Sequence, residues 1–116
     1  MQFIEAPAFT KVLRNYLDDE SYRLLQKLLL TNPLAGDLMP GTGGFRKVRW
    51  QDPRRGKGKR GGLRVIYYHF SEDHQIWFLT VYDKDEASDL TSEEKKMLKR
   101  AIDLEKQSRA KARRKL

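Results

Sequence analysis

The sequence predicts an α+β fold: an antiparallel sheet with an N-terminal helical hairpin packed on one side, followed by a C-terminal helix. Two segments near the N-terminus carry apolar residues at helical spacing. Three β-branched and aromatic stretches follow between residues 45 and 82, with polar or glycine-rich segments between them. The predicted order is strand, helix, helix, three strands and helix, which is an α+β arrangement.

The N-terminal part is predicted to contain one strand and two helices. Residues 1–5 form a short, mostly apolar segment, as expected for a strand, and Pro7 stands where a helix would begin. The apolar residues of the first helix follow the i, i+3, i+4, i+7, i+8 pattern: Phe9, Val12, Leu13, Tyr16 and Leu17. A second stripe ends at Asn32 and Pro33 and consists of Tyr22, Leu25, Leu28 and Leu29. Two consecutive helices predict a hairpin.

The middle of the chain is predicted to form an antiparallel meander. Residues 34–44 end in Gly-Thr-Gly-Gly and predict a loop. Residues 45–50 alternate, which places Lys47 and Arg49 on one side of a strand. After a loop over 52–62, two strands over 63–70 and 75–82 are joined by a turn at 71–74.

The C-terminal part is predicted to be a helix followed by a basic tail. Thr91 and Glu94 have the spacing of a capping box. The apolar residues that follow are Met97, Leu98, Ala101, Ile102 and Leu104. We expect this helix to pack on the sheet or on a partner. The length of 116 residues predicts one domain over 1–105 and a tail over 106–116.

The composition excludes several classes of site. The sequence has no cysteine, so disulfides and thiolate metal sites are excluded, and only His69 and His74 could supply imidazole ligands. We expect no cofactor. No run of about 18 apolar residues occurs, and the first residues lack the pattern of a signal peptide. We therefore expect a soluble cytoplasmic protein with no membrane partner.

The net charge of +8 is concentrated in two segments. Residues 46–64 contain nine Lys or Arg and one acid, Asp52, and residues 106–116 contain six Lys or Arg and no acid. Such clusters favour a polyanionic partner, because neutralising phosphates releases counterions. For the central segment this favours nucleic acid over a merely solvated loop. For the tail, a nucleic-acid contact and a frayed solvated end stay equally open.

The usual catalytic motifs are absent from the sequence. Neither the glycines of 41–44 nor those of 56–62 complete a phosphate-binding loop between a strand and a helix. His69 and His74 do not support a two-histidine ribonuclease, because a histidine in such a position is more often a strand or turn residue than a catalyst, and we assign neither a role. No Ser-His-Asp set or metal cluster emerges. What remains is Lys47, Arg49 and Arg64 on adjacent strands, with Lys84 just after the last strand.

Three stretches carry a family resemblance: GGFRKVR over 43–49, KGKRGGLRVIYY over 57–68, and LTVYDK over 79–84 followed by SDLT over 88–91. They resemble the RelE/ParE toxin superfamily, and the KGKRGG loop is most similar to its HigB-type members. The resemblance spans nearly the whole chain. It implies a microbial RNase fold and the toxin of a type II toxin-antitoxin pair.

The same resemblance implies an activity and partners. The activity is metal-independent, ribosome-dependent cleavage of mRNA in the 30S A site, by attack of a ribose 2′-hydroxyl on the adjacent phosphate. The implied partners are mRNA, the ribosome and a cognate antitoxin, expected to be a helix-turn-helix DNA-binding protein. Such chemistry needs a base, cations around the phosphate and an acid for the leaving oxygen.

The resemblance transfers these tasks to Lys47 or Arg49, Arg64 and Lys84. Crowded cations favour a neutral lysine, so Lys47 is the candidate base. Arg64, expected to be an exposed strand residue, is the candidate clamp on the phosphate, since its guanidinium can hold two oxygens. Lys84 is the candidate acid, although many members have arginine there. The candidate RNA- or ribosome-binding residues are Arg46, Arg54, Arg55, Lys57, Lys59 and Arg60.

One departure from the family pattern affects base recognition. Where some members place a base-stacking tyrosine, this chain has Leu90-Thr91. Three tyrosines could replace it, although core packing is the commoner role for strand aromatics: Tyr67, Tyr68 and Tyr82.

Two other functions stay open at this point. A ParE-like protein with this fold would poison DNA gyrase without cutting anything, and the basic set at Lys47, Arg49 and Arg64 favours the nuclease over it. A basic RNA-binding module without catalysis is favoured only if those side chains lie on different faces.

Overall fold

The computed structural model describes residues 1–51, 62–84 and 90–114. They form two compact units. The first comprises the described residues of Met1–Leu38 and Phe45–Ser88, and the second those of Met39–Gly44 and Asp89–Leu116.

The first unit is a sheet with two helices. Its elements are β1 (Gln2–Glu5), α1 (Pro7–Tyr16), α2 (Asp19–Thr31), β2 (Asp37–Leu38), β3 (Arg46–Trp50), β4 (Leu63–Phe70) and β5 (Gln75–Asp83). Among the described residues the strand order is β1-β5-β4-β3-β2. The fold class is thus α+β, and the helical hairpin and the β3-β4-β5 meander with its turn at 71–74 are confirmed.

Two strand predictions differ from the structure. β1 pairs with β5 in parallel, so the expectation of a wholly antiparallel sheet is wrong at this edge. Residues 37–38, predicted to lie in a loop, pair with β3 as β2. Alternation within a strand shows which residues share a face but carries no information about the direction of a partner far away in sequence.

The helices begin and end where local chemistry dictates. α1 has Pro7 at its first position, where the absent N–H is not needed. α2 is capped by Asp18, whose carboxylate accepts a 2.7 Å hydrogen bond from the Ser21 N–H. It ends before Asn32 and Pro33 as predicted.

The core lies between the hairpin and one face of the sheet. The helices contribute Phe9, Leu13, Leu17, Leu25 and Leu29. The strands contribute Val48, Leu63, Val65, Tyr67, Ile76, Phe78 and Val81. The Phe78 ring stacks on Phe9 with centroids 4.9 Å apart and on Phe3 at 5.8 Å, and Tyr22 meets its edge at 5.7 Å. Phe78 is therefore the centre of an aromatic cluster that joins β1, α1, α2 and β5.

Polar contacts at the edge of this core fix the loop after α2. The fully buried Tyr67 donates its hydroxyl to the Pro33 carbonyl at 2.7 Å and accepts from the Gly36 N–H at 2.9 Å. Gly36 has no room for a side chain, since a Cβ would lie 2.9 Å from both Tyr67 and the Lys47 backbone. The tyrosine therefore ties residues 33–36 to the sheet.

We expect Tyr67→Phe to lower the free energy of unfolding by about 1–3 kcal/mol, because it leaves a buried N–H and a carbonyl without their shared partner. Urea unfolding followed by circular dichroism measures this loss. A variant with unchanged stability would show that water replaces the hydroxyl.

The second unit consists of residues 39–44 and α3 (Ser92–Arg114). The predicted capping box is confirmed: the Glu94 carboxylate accepts from the Thr91 N–H at 2.9 Å, and the Thr91 hydroxyl accepts from the Glu94 N–H at 3.1 Å. Gly43, at φ 80°, lies so close to Ile102 that a Cβ would come within 2.8 Å of its side chain. α3 continues through the basic segment to Arg114, so these described tail residues are helical.

The described residues contain neither a membrane-spanning helix nor a cluster of metal-binding side chains. None of the helices there is long and apolar enough to cross a membrane. Within residues 1–51, 62–84 and 90–114, no three His, Cys, Asp or Glu side chains are grouped so that they could hold a metal ion.

Candidate functional site

The sheet face opposite the helical hairpin carries the candidate site. Residues directly opposite one another on neighbouring strands share a face, so the strand register shows which side chains lie together. Val48 and Val65 are opposite each other on the core face, whereas Lys47 pairs with Ile66 and Arg49 with Arg64 on the other face. The predicted sharing of one side by Lys47 and Arg49 is confirmed.

This outer face is divided into an aromatic end and a cationic end. The aromatic end has Phe45, Tyr68, Phe70 and Trp77, whose neighbouring ring centroids lie 4.5 to 5.4 Å apart. The cationic end lies at the start of β4 and the end of β3, with Arg49 and Arg64. The face therefore combines a packed apolar support with a cluster of positive charge.

Arg49 and Arg64 form a like-charge pair across the two strands. Like charges directly opposite one another in a sheet destabilise it, since their Cβ atoms are only about 4.5–5.5 Å apart. An anion bound between the two guanidinium groups would be attracted by both. The pair is consequently suited to binding a phosphate or another multivalent oxyanion.

Arg64 is buried, with 7% of its surface exposed, so the expectation of an exposed strand arginine is wrong. Its Nη1 donates to the Leu63 carbonyl at 3.3 Å, which helps to hold the guanidinium in place. The sequence did not reveal this burial, because alternation places Arg64 on the outer face but cannot show how deeply that face is covered. A fixed and largely desolvated guanidinium interacts more strongly with an anion than an exposed one.

A β-bulge brings Tyr82 and Lys84 to this face. Ile66 lies opposite Thr80, but the next residue of β4, Tyr67, lies opposite Phe78. The register therefore shifts by one residue, and Leu79 has no partner on β4. After this slip Tyr82 lies opposite Arg64. The ladder continues with the Lys84 N–H donating to the Gly62 carbonyl at 3.2 Å, so alternation places the exposed Lys84 on the side of Tyr82.

The three candidate tyrosines have different environments. Tyr67 lies in the core with its hydroxyl engaged on both sides, and burial raises the pKa of that hydroxyl. Tyr68 is 8% exposed and packs in the aromatic end against Phe45 and Phe70. Tyr82 is half-buried in the cationic end. Of the three, Tyr82 is the one beside the arginine pair.

The remaining sequence candidates lie elsewhere. Arg46 points to the core side of β3 and donates to the Gly36 carbonyl at 2.8 Å, away from Lys47 and Arg49. Arg54, Arg55, Lys57, Lys59 and Arg60 fall outside the described residues. His69 is not near the arginine pair, and burial, followed by Arg46 and His74, lowers the pKa of its imidazole.

Two solved structures share this architecture, while no protein-family model matches the sequence. The crystal structure of the intact E. coli RelBE toxin-antitoxin complex matches with a TM-score of 0.51 and 17% identity, covering 71% of this chain and 94% of that one. E. coli toxin RelE in the free state, with two arginines mutated to alanine, gives a TM-score of 0.52 and 16% identity, covering 74% of this chain and 85% of that one. Likeness at this identity establishes a shared fold, so the chain has the RelE-like toxin fold.

Proposed function

We propose that this protein is a HigB-type toxin that cleaves mRNA in the ribosomal A site and so arrests translation. The observation that supports this proposal most directly is the cross-strand pair of Arg49 and Arg64. Lys47 lies on the same face, two residues before Arg49 on β3. Lys84 and Tyr82 lie at the same end of the sheet. The RelE-like fold supports the proposal, because the structurally similar E. coli protein RelE is named as a toxin.

The reaction we propose is transesterification at the phosphate that follows a ribose 2′-hydroxyl. The 2′-oxygen forms a bond to phosphorus, its proton passes to Lys47, and the bond to the departing 5′-oxygen breaks. Lys84 donates a proton to that oxygen. Arg49 and Arg64 hold the non-bridging oxygens as negative charge redistributes in the transition state.

Primer extension on an mRNA in a purified translation system tests the proposal. We expect cuts within the codon held in the A site, only when ribosomes and the protein are both present. Growth arrest without cleavage, together with inhibition of DNA gyrase supercoiling, would instead support a ParE-like poison. RNA binding without either activity would leave only a basic RNA-binding module.

A co-encoded antitoxin is the expected partner, because an unrestrained RNase would harm its own host. One of the structurally similar E. coli structures is a toxin-antitoxin complex. The net charge of +8 on this chain favours an acidic surface on the antitoxin. Coexpression of the adjoining reading frame should restore growth and yield a copurifying complex. Failure of every adjacent frame to bind and rescue would contradict this prediction.

We further propose that the basic loop over 52–62 and the segment over 106–116 contact ribosomal RNA while the sheet face holds the message. Neutralising the five loop cations Arg54, Arg55, Lys57, Lys59 and Arg60 should weaken ribosome binding and flatten its dependence on salt. Cleavage at saturating ribosome concentration should fall much less than in Arg64→Ala. Sedimentation binding assays at several salt concentrations measure the slope, and an unchanged affinity and slope would remove the loop from this role.

A further inference from the structure

The second unit carries an apolar stripe on the side of α3 that faces solvent. Met97 and Leu104 are seven residues apart and are 64% and 62% exposed, whereas Ile102 on the opposite side is 2% exposed and lies next to Gly43. With about 100° between successive helical residues, Met97, Ala101, Leu104 and Ser108 fall within an arc of about 60°. We call these four residues the α3 stripe.

The α3 stripe has the spacing with which one helix packs against another. Its members are separated by four, three and four residues, so that large Met97 and Leu104 alternate with small Ala101 and Ser108. This pattern leaves holes between anchors into which side chains of a partner helix fit. Large side chains exposed in such a row on a charged helix mark an interaction surface more often than scattered apolar residues do.

Cations border one side of the α3 stripe. Arg100, Lys111 and Arg114 lie along this border, and none of the three makes a hydrogen bond or ion pair within the described part of the chain. The acids beside the stripe are engaged: Glu93, on the same border as the cations, lies 3.9 Å from Lys96, Glu94 is in the capping box, and Glu105 pairs with Arg109 at 2.9 Å. The charge left for a partner is therefore positive.

We propose that the α3 stripe is the docking surface for an acidic amphipathic helix of a partner protein. Leucine-like side chains of that helix would cover Met97 and Leu104, and its carboxylates would pair with Arg100, which lies outside the segment proposed to contact ribosomal RNA. The proposal goes beyond the cleavage of mRNA and does not depend on it, since none of these residues belongs to the sheet face with Arg49 and Arg64.

Two other occupants fit the surface less well. A second copy of this chain would bring together two helices that each carry nine Lys or Arg against four Asp or Glu, and their borders would repel. RNA would pair with the cations but would leave Met97 and Leu104 in water, because a phosphate backbone covers no apolar surface.

The test uses the full-length protein and a synthetic helical peptide of about three heptads, with leucine at the packing positions and glutamate at the flanks. Fluorescence anisotropy of the labelled peptide measures affinity. We expect saturable binding. The affinity should fall about tenfold in the single variant Leu104→Ala and by a similar factor in the single variant Arg100→Ala. Leu30→Ala, which shortens a 55% exposed leucine at the end of α2, is the matched control and should bind as the wild type does.

A scrambled peptide of the same composition separates docking from attraction between opposite charges, and it should bind at least about tenfold more weakly. Equal affinity for the scrambled peptide, or an unchanged affinity in Leu104→Ala, would overturn the proposal. A dimer in analytical ultracentrifugation that Leu104→Ala dissociates would assign the stripe to a second copy instead. The proposal would also be overturned if a structured RNA competes with the peptide for the wild-type protein and binds the Leu104→Ala variant more weakly.

Discussion

Arg64→Ala is expected to lower the rate of mRNA cleavage by about 10²–10³ and to abolish growth arrest, as loss of a preorganised transition-state donor does. The guanidinium is buried, lies directly across from Arg49 and is held by the Leu63 carbonyl. We therefore expect its charge to act on a bound phosphate with little screening by water. Single-turnover cleavage on programmed ribosomes, at saturating protein, measures the loss separately from binding.

Burial of Arg64 also means that alanine leaves a cavity, so the charge must be tested apart from the volume. Arg64→Met keeps much of the side-chain volume without the charge and should be as inactive as Arg64→Ala. Arg64→Lys keeps the charge but not the planar fork and should retain part of the activity. Arg23→Ala, on the exposed surface of α2, should leave activity unchanged. Full toxicity of Arg64→Met at equal expression would remove Arg64 from the reaction.

Phe78→Ala is expected to lower the free energy of unfolding by about 3–5 kcal/mol, the range for deleting a large aromatic side chain from a core. Its fully buried ring contacts Phe3, Phe9 and Tyr22, so the cavity would open where β1 and both helices of the hairpin meet. A loss of this size is a large share of the stability of a typical small domain.

Urea unfolding at equilibrium measures the effect of Phe78→Ala, and Phe78→Leu, which refills most of the space, should lose less. Leu24→Ala, which shortens a 43% exposed side chain on α2, should change the free energy by less than about 1 kcal/mol. If Phe78→Ala is no more costly than Leu24→Ala, the aromatic cluster does not organise the core.

Much of the site geometry could be predicted where one strand contains the information. The alternation of residues 45–50 placed Lys47 and Arg49 together, and the structure confirms this. The capping box at Thr91 and Glu94 was equally local and equally predictable. Both depend on neighbours within a few residues, where backbone geometry alone determines which groups meet.

Features that depend on distant parts of the chain were not predictable from the sequence. The parallel pairing of β1 with β5 joins residues about seventy positions apart, and the burial of Arg64 depends on how the outer face is covered. No residue pattern within either segment encodes such an outcome. The roles of Lys47, Arg49, Arg64 and Lys84 in catalysis stay predictions that the variants above test.

The bulge at Leu79 decides which residues at the end of β5 lie beside Arg64 and which face the helices. Uninterrupted alternation from Phe78 would turn Tyr82 and Lys84 toward the helices and expose Val81 and Asp83, which are now buried. Regular pairing of Leu79 with β4 would therefore exchange the two sets of side chains without changing any of them, whereas deleting Leu79 would remove the bulge and leave Tyr82 on its present face. A strand with the same residues but no bulge would present different chemistry beside Arg64.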